Sequence, residues 1–337
     1  MSTKTKIAIN GFGRLGRSIA RVVAQSNDME LVAINDPSPW EILAYLLEND
    51  STHGRFPTSV RYVDSTLYLD EKSIRTTSHS EGEKLDFSDA DIVIESSGKF
   101  LTQKDFAHHI AKGVKKVILS APSLDDMPTF VLGVNHTQYR GQNIISNASC
   151  TTNCLAPLCD ILERHFGIIS GNILTIHSYT NDQNLLDNAH PSDKRRSRAA
   201  AMNIIPTTTG AAKNLYKVLP TLEGKLHGHS VRVPTANVSM LDLNLNLKQK
   251  ISIDSLHELF ASYASRALSD GGLAGILTLD EKFCVSSDFI GEAHSCIIAK
   301  DLSFGVENLV KIMAWYDNEW GYSNRIIELA RYIMQRD

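Results

Sequence analysis

The feature that most narrows what this chain can fold into is a glycine triad set between a strand and a helix. Lys6-Ile7-Ala8-Ile9-Asn10 is a short apolar strand running straight into Gly11-Phe12-Gly13-Arg14-Leu15-Gly16, and Ile19, Ala20 and Val23 follow at helical spacing. In that setting Gly11 permits the tight turn, Gly13 lets the backbone approach a pyrophosphate, and Gly16 lets the helix pack on the sheet. The helix start adds free N–H groups and a partial positive charge suited to phosphates. A second strand, Glu30-Leu31-Val32-Ala33-Ile34-Asn35, ends at Asp36, twenty residues beyond Gly16. Its carboxylate can accept hydrogen bonds from both hydroxyls of an adenosine ribose and repels a 2′-phosphate there. The loop from Gly11 to Gly16, with Phe12, Arg14 and Leu15 inside it, and Asp36 therefore predict a dinucleotide site, with NAD favoured over NADP.

The alternation continues. Asp91–Glu95 is a buried-type strand leading to Ser96-Ser97-Gly98, residues 103–112 have helical spacing, and Lys116–Ser120 is the next strand. This predicts a doubly wound parallel sheet of Rossmann type, with its ligand at the carboxyl ends of the strands. Ser97 and Ser120 sit at such ends, as cofactor-cleft residues or as plain strand-terminating serines. After residue 210 strand-like runs (Val231–Val233, Val238–Leu247, Cys284–Phe289, His294–Ile298) mix with helices near 211–219 and 254–268, which suits an α+β domain built on an antiparallel sheet with helices on one face. A length of 337 residues accommodates both domains.

Composition excludes several classes. Thirty-four basic against 38 acidic residues give a net charge of −4, so nothing general attracts nucleic acid or an anionic membrane. No apolar run approaches the ~20 residues that span a bilayer. Met1-Ser2-Thr3-Lys4-Thr5-Lys6 has no signal-peptide core, which makes the cytoplasm the expected compartment. Five cysteines, an odd number without an export signal, argue against a disulfide framework. Cys150 and Cys154 share a helical face, but no second ligand pair accompanies them, so no metal is expected.

The centre of the chain carries the chemistry. Ser146-Asn-Ala-Ser149-Cys150-Thr151-Thr-Asn-Cys154 precedes Leu155, Leu158, Ile161 and Leu162 at helical spacing. Ser149 is a good N-cap, which puts Cys150 in the first turn, where the helix dipole and free N–H groups are expected to lower the thiol pKa. Cysteine is more often a small buried residue, a reading that fits Cys154 and Cys159 better than Cys150. Pro157 predicts a kink or irregular turn.

Ser149-Cys150-Thr151-Thr152-Asn153-Cys154 resembles the active-site segment of glyceraldehyde-3-phosphate dehydrogenases. So do Asn10–Arg14, His177-Ser178-Tyr179-Thr180, Thr208-Thr209-Gly210-Ala211-Ala212-Lys213, Arg232-Val233-Pro234-Thr235 and Trp315–Tyr322, colinear over almost the whole chain. The resemblance implies that Cys150 attacks the aldehyde of glyceraldehyde 3-phosphate to give a thiohemiacetal. His177, on the strand face shared by Ile173 and Thr175, would activate the thiol and take the hydroxyl proton as hydride leaves for the nicotinamide. Inorganic phosphate would then cleave the thioester to 1,3-bisphosphoglycerate, as in glycolysis or gluconeogenesis. It further implies that Thr180, Asp182 and Arg232 hold the substrate's phosphate. Ser149, Thr151, Thr209, Gly210 and Arg196 would hold the attacking one, although Lys194–Arg198 could equally be a solvated basic run. Asn318 would bind the carboxamide, with Tyr322 near the ring. The family pattern also implies a homo-oligomer, a tetramer, with a cofactor-binding domain of residues 1–149 plus the terminal helix 319–337, and a catalytic domain of 150–318.

Ala189-His190-Pro191-Ser192 stands where many NAD-specific members carry Leu-Pro, so some NADP use stays open. The competing readings are an erythrose-4-phosphate dehydrogenase, a nucleic-acid or surface-binding protein, and a redox sensor built on Cys150.

Overall fold

The strands beside the glycine loop are apolar on both faces. Ile7, Ala8 and Ile9, Ala33 and Ile34, Ile92 to Ile94, and Val117 to Leu119 are all fully buried, the pattern of parallel strands covered on both sides. The computed structural model describes residues 4–336; Met1–Thr3 and Asp337, at the two ends of the expected cofactor domain, lie outside them. It divides into two units, Met1–Phe130 with Gln138–Ala148 and Ser323–Asp337, and Val131–Thr137 with Ser149–Tyr322.

In the first unit the strands run in the order Ile144–Ser146, Lys116–Leu119, Ile92–Glu95, Thr5–Asn10, Met29–Asn35, Lys72–Thr77, Thr66–Leu69 and Val60–Val63. The first six pair in parallel and the last two add an antiparallel meander. The chain leaves Thr5–Asn10 toward one edge and returns on its other side, so the switch point lies between Thr5–Asn10 and Ile92–Glu95, where a doubly wound sheet takes its ligand. Residues from Ser323 onward, in the helix Trp320–Met334, belong to this unit, and Arg331 Nε binds Asp28 Oδ2 at 2.5 Å.

The second unit is built on a mixed sheet, in the order Ile205–Thr208, Leu226–Val233, Ile168–Ser178, Ser239–Leu247, Leu309–Tyr316, Cys296–Ala299 and Leu277–Asp280, with Phe304–Val306 added to Leu309–Tyr316. Most pairings are antiparallel; Ile168–Ser178 with Leu226–Val233, and Leu277–Asp280 with Cys296–Ala299, are parallel. Leu241, Leu243, Leu245 and Leu247 alternate into the core, and the helix Cys150–Phe166 packs against this sheet. That helix stays regular through Pro157, without the irregular turn expected there. A second local expectation also fails. Cys284–Phe289 is no strand: Ser286–Phe289 is a 3₁₀ turn, and Leu277–Asp280 is the strand instead. Asp280 accepts the N–H groups of Lys282 and Cys284, Asp288 accepts that of Val285, and Phe283 has a φ of 58°. Side chains that bind nearby N–H groups this way remove them from a ladder.

Gly11 has a φ of 91°, and a Cβ there would sit 2.4 Å from Ser97 Cα. Gly11→Ala should therefore destabilise the first unit by about 2–4 kcal/mol, combining backbone strain with a steric clash. Denaturant unfolding followed on that unit checks this; a loss below about 0.5 kcal/mol, the range of neutral surface changes, would mean the loop has room to move.

Candidate active site

Two short-range choices and one long-range pairing build the reactive pair of the second unit. Ser149 has extended backbone and accepts the N–H of Thr152 at 3.1 Å, which starts the helix at Cys150. The strand Ile168–Ser178 turns Ile173, Thr175 and His177 to its buried face. Cys150 Sγ then lies 3.7 Å from His177 Nε2.

The other ring nitrogen fixes the tautomer. His177 Nδ1 is 2.7 Å from the carbonyl oxygen of Ser178, an acceptor only, so Nδ1 carries the hydrogen and Nε2 presents its lone pair to the thiol. Arg232 agrees with this assignment: its Nη1 has two hydrogens, and the Ser178 carbonyl at 3.0 Å and the Thr180 hydroxyl at 3.1 Å take both. The 2.9 Å approach of Nη1 to Nδ1 follows from two donors sharing one carbonyl. Burial, reinforced by the Arg232 charge, pushes the imidazole pKa down to about 4. His177 is thus a neutral base at physiological pH.

For Cys150 the helix-start expectation is overturned. The thiol is half-buried, and burial pushes it up from its ordinary value; Arg232 and the N–H and hydroxyl of Thr151 pull the other way and do not overcome it. Cys154 and Cys159 are fully buried.

A polar chain runs on from Arg232. Thr180 donates its hydroxyl to Asp182, Asp182 pairs with Arg196 at 2.9 Å, and Arg196 Nε reaches Thr207 at 3.0 Å. Arg196 also meets Asp193 at 3.4 Å, and Arg198 pairs with Asp187 at 2.8 Å. The Thr151 hydroxyl shares a hydrogen bond of 2.9 Å with that of Tyr316, which also meets Thr175 at 2.7 Å. Tyr316 was not singled out by sequence, although it lies inside the Trp315–Tyr322 segment; its ring stands edge-on to His177, 6.0 Å between centroids. Asn318 Oδ1 accepts the hydroxyls of Ser178 and Ser239 at 3.0 and 2.8 Å, bonds in which its amide N–H₂ takes no part. Tyr322 is buried, with its hydroxyl pushed far up by burial. Thr209 accepts the Ala211 N–H, and Gly210 caps the helix Ala211–Val218.

In the first unit a cavity of about 260 Å³ is lined by Gly11, Gly13, Asp36, Ser97 and Lys99, among others. Gly13 lines this cavity, and a Cβ on it would meet no protein atom within 4 Å. Asp36 accepts the N–H of Phe12 at 2.7 Å and of Ser38 at 2.9 Å, holding the glycine loop to the second strand. Each oxygen retains a lone pair for a ribose hydroxyl. Arg14, the first residue of the helix Arg14–Ala24, sends its side chain to Asp50 at 3.1 Å, so its backbone is what faces the loop, followed by the half-buried Leu15 and the buried Gly16. Ser97 donates to Glu95, whereas Ser120 spends its hydroxyl on the Glu95 carbonyl at 2.7 Å and does not line the cavity. Burial pushes the Glu95 carboxyl up to about 7 against donors from Ser97 and Asn10. Among the described residues no group of three or more His, Cys, Asp and Glu could hold a metal, and no helix is long and apolar enough to cross a membrane.

Comparison with known proteins points one way. Residues 5–103 match the family model for the glyceraldehyde 3-phosphate dehydrogenase NAD binding domain, and residues 149–318 match that for the C-terminal domain. The chain is 52% identical over 337 residues to glyceraldehyde-3-phosphate dehydrogenase of Helicobacter pylori, covering 97% of this chain and 99% of that one. Against glyceraldehyde-3-phosphate dehydrogenase 1 of Bacillus cereus it is 45% identical, covering 98% and 99%. The Geobacillus stearothermophilus glyceraldehyde-3-phosphate dehydrogenase is 44% identical, with 98% of each covered.

His177→Asn removes the proton acceptor 3.7 Å from the sulfur. The iodoacetamide rate of Cys150 at pH 7 should fall about tenfold or more, within the usual span for a positioned base; an unchanged rate would mean that His177 does not tune the thiol. The same variant should be less sensitive to acid. With a folded pKa near 4 against an ordinary 6.5, His177 costs stability as pH falls from 6.5 toward 4, and the substitution removes that slope.

Proposed function

This chain belongs to the glyceraldehyde-3-phosphate dehydrogenase family, and from that premise we propose that it oxidises glyceraldehyde 3-phosphate to 1,3-bisphosphoglycerate with NAD and inorganic phosphate. The observation that carries the reading is the Cys150–His177 pair, with its proton acceptor fixed by the Ser178 carbonyl. Cys150 Sγ attacks the aldehyde carbon while Nε2 takes the thiol proton, and that proton is returned to the hydroxyl oxygen of the thiohemiacetal. His177 then accepts the hydroxyl proton as the carbon–hydrogen bond breaks and the thioester forms on Sγ. When bound, NAD supplies the hydride acceptor. Attack of inorganic phosphate on the thioester carbon releases the acyl phosphate and restores the thiol.

The residues fit this division of labour. Arg232 and Thr180, with Asp182 orienting the hydroxyl, suit the substrate's phosphate; Arg196, the backbone of Ser149 and Thr151, and the helix start at Thr209-Gly210 suit the attacking one. Gly11 to Gly16, Asp36 and Ser97 suit the adenosine and pyrophosphate, while Ser120 acts by bracing Glu95. The amide N–H₂ of Asn318 suits a carboxamide oxygen, and Tyr322 the neighbourhood of the ring. On this reading residues 1–149 with 319–337 hold the cofactor and 150–318 carry the chemistry.

We also propose a homo-oligomer, a tetramer, in the cytoplasm. Leu185, Leu186, Met202 and Ile204 are each at least 70% exposed along one connecting segment, more apolar surface than a lone chain commonly leaves in water. All five cysteines are free thiols. The names of the relatives and the Tyr179–Gln183 segment favour glyceraldehyde 3-phosphate over erythrose 4-phosphate.

Cys150→Ser should leave less than ~5% of the oxidation rate, since an alkoxide is far harder to form than a thiolate. Cys154→Ser should keep most of it. Retention of activity by the first variant would overturn the assignment. For the cofactor, kcat/KM should favour NAD by about a hundredfold, the scale of one like-charge contact near a surface. Asp36→Gly should narrow the gap mainly by improving NADP, with some loss for NAD because Phe12 loses its N–H acceptor. Equal use of both cofactors by the unmodified protein would contradict the role of Asp36.

A further inference from the structure

Beside the cofactor cavity of the first unit lies a buried carboxyl group that the proposed chemistry does not use. Glu95 ends the strand Ile92–Glu95 and is 1% exposed. Its hydrogen-bond partners all donate. Asn10 Nδ2 reaches Oε2 at 2.6 Å, and the Ser97 N–H reaches Oε1 at 2.8 Å, joined there by the Ser97 hydroxyl. Two of these donors cannot reverse. The His79 N–H marks Asn35 Oδ1 as the acceptor at 2.8 Å, so Asn35 Nδ2 donates to Asn10 Oδ1, also at 2.8 Å. Asn10 must therefore present its N–H₂ to Oε2. The Ser97 N–H is a backbone donor and has no other role. Only the Ser97 hydroxyl can turn, so a proton on Glu95 belongs on Oε1.

Ser97 is exposed and lines the cavity with Gly11 and Gly13. Its oxygen already accepts the Lys99 N–H at 3.1 Å. While Glu95 is ionised, the Ser97 hydrogen is held by Oε1, and the cavity meets only a lone pair, which repels an anionic oxygen. A protonated Oε1 donates to Ser97 Oγ and still accepts the Ser97 N–H, so the Ser97 hydrogen turns outward. We propose that Glu95 is a positioning residue acting through Ser97: dinucleotide binding takes one proton from solvent onto Oε1 and frees the Ser97 hydroxyl to donate to a pyrophosphate oxygen. The proposal rests on the dinucleotide reading of the cavity. The proton balance closes on Glu95, because Ser97 keeps its own hydrogen throughout.

Burial, helped by the Asp105 carboxylate of the helix Gln103–Ala111, pushes the Glu95 carboxyl up to about 7 against its donors. A pyrophosphate charge nearby raises it further, so affinity falls as pH rises past 7. The strand partners of Glu95, Asn10 and Leu119, carry no charge. Arg14 and Arg17, on the helix after the glycine loop, reach Asp50 and the Phe12 carbonyl. Asp36, His79 and Lys99 are the other titratable groups lining the cavity. His79 is a second group able to take up a proton beside an anion, and substitution separates the two.

Calorimetric titration of the full-length, nucleotide-free protein with NAD at pH 8, in buffers of different ionisation enthalpy, counts the protons taken up. The unmodified protein should take up a measurable fraction of one proton. Its affinity should fall between pH 7 and 8.5, by at most about tenfold per pH unit for a single proton. His79→Asn should keep that uptake. Glu95→Gln, neutral at every pH, should bind NAD with flat affinity and no uptake at pH 8. Ser97→Ala, at an exposed position, should at least halve the uptake, and Ser97→Thr should restore it. NAD binding without proton uptake, or uptake undiminished in both Glu95→Gln and Ser97→Ala, would overturn the proposal and leave the dinucleotide reading standing. No NAD binding at any pH would overturn that reading, and the proposal with it.

Discussion

The hydrogen bond from His177 Nδ1 to the Ser178 carbonyl is the constraint on which the reactive geometry depends. It assigns the ring hydrogen, and so leaves Nε2 as a base pointed at Cys150. Arg232 works on the same carbonyl and adds a positive charge beside a buried ring, which keeps the imidazole neutral. A protonated ring there could accept nothing. Burial and the arginine's charge together hold His177 unprotonated, and on the proposed reading the same arginine offers a charge to an anion. Tyr316 completes the support from below by tying Thr151 of the helix to Thr175 of the strand, so the elements carrying Cys150 and His177 are bridged by one hydroxyl.

The first unit solves a different problem with similar means. Its glycine loop must sit tight against the sheet while exposing N–H groups. Asn35 donates to Asn10, Asn10 donates to Glu95, and Ser96 donates to the Gly11 carbonyl. This buried polar relay runs along the switch point of the sheet and fixes the loop without any side chain on Gly11 or Gly13. Asp36 adds the last tie through Phe12.

Much of this was legible in the sequence because it is local. The strand–glycine–helix pattern, Asp36 at its spacing and Ser149 as a cap are each decided within a few residues, and all appear as expected in the fold. His177 could be picked from twelve histidines only through the family resemblance, since a strand histidine has no local mark of its task. Tyr316 lies 165 residues from Thr151, and no local pattern announces that contact. The direction of the Cys150 shift failed for a related reason: the helix start is a local feature, but burial is a property of the whole unit. The region 277–289 misled because Asp280 and Asp288 capture N–H groups that strand propensity had assigned to a ladder.

The central claim is that Cys150 carries the acyl group between oxidation and phosphorolysis. Mixing the protein with glyceraldehyde 3-phosphate and NAD in the absence of inorganic phosphate, followed by acid quench and peptide mass mapping, tests it most directly. The account predicts a single acyl adduct on the peptide containing Cys150, formed with one burst of reduced cofactor per active chain and discharged on adding phosphate. A burst with no adduct, or an adduct on another residue, would contradict it.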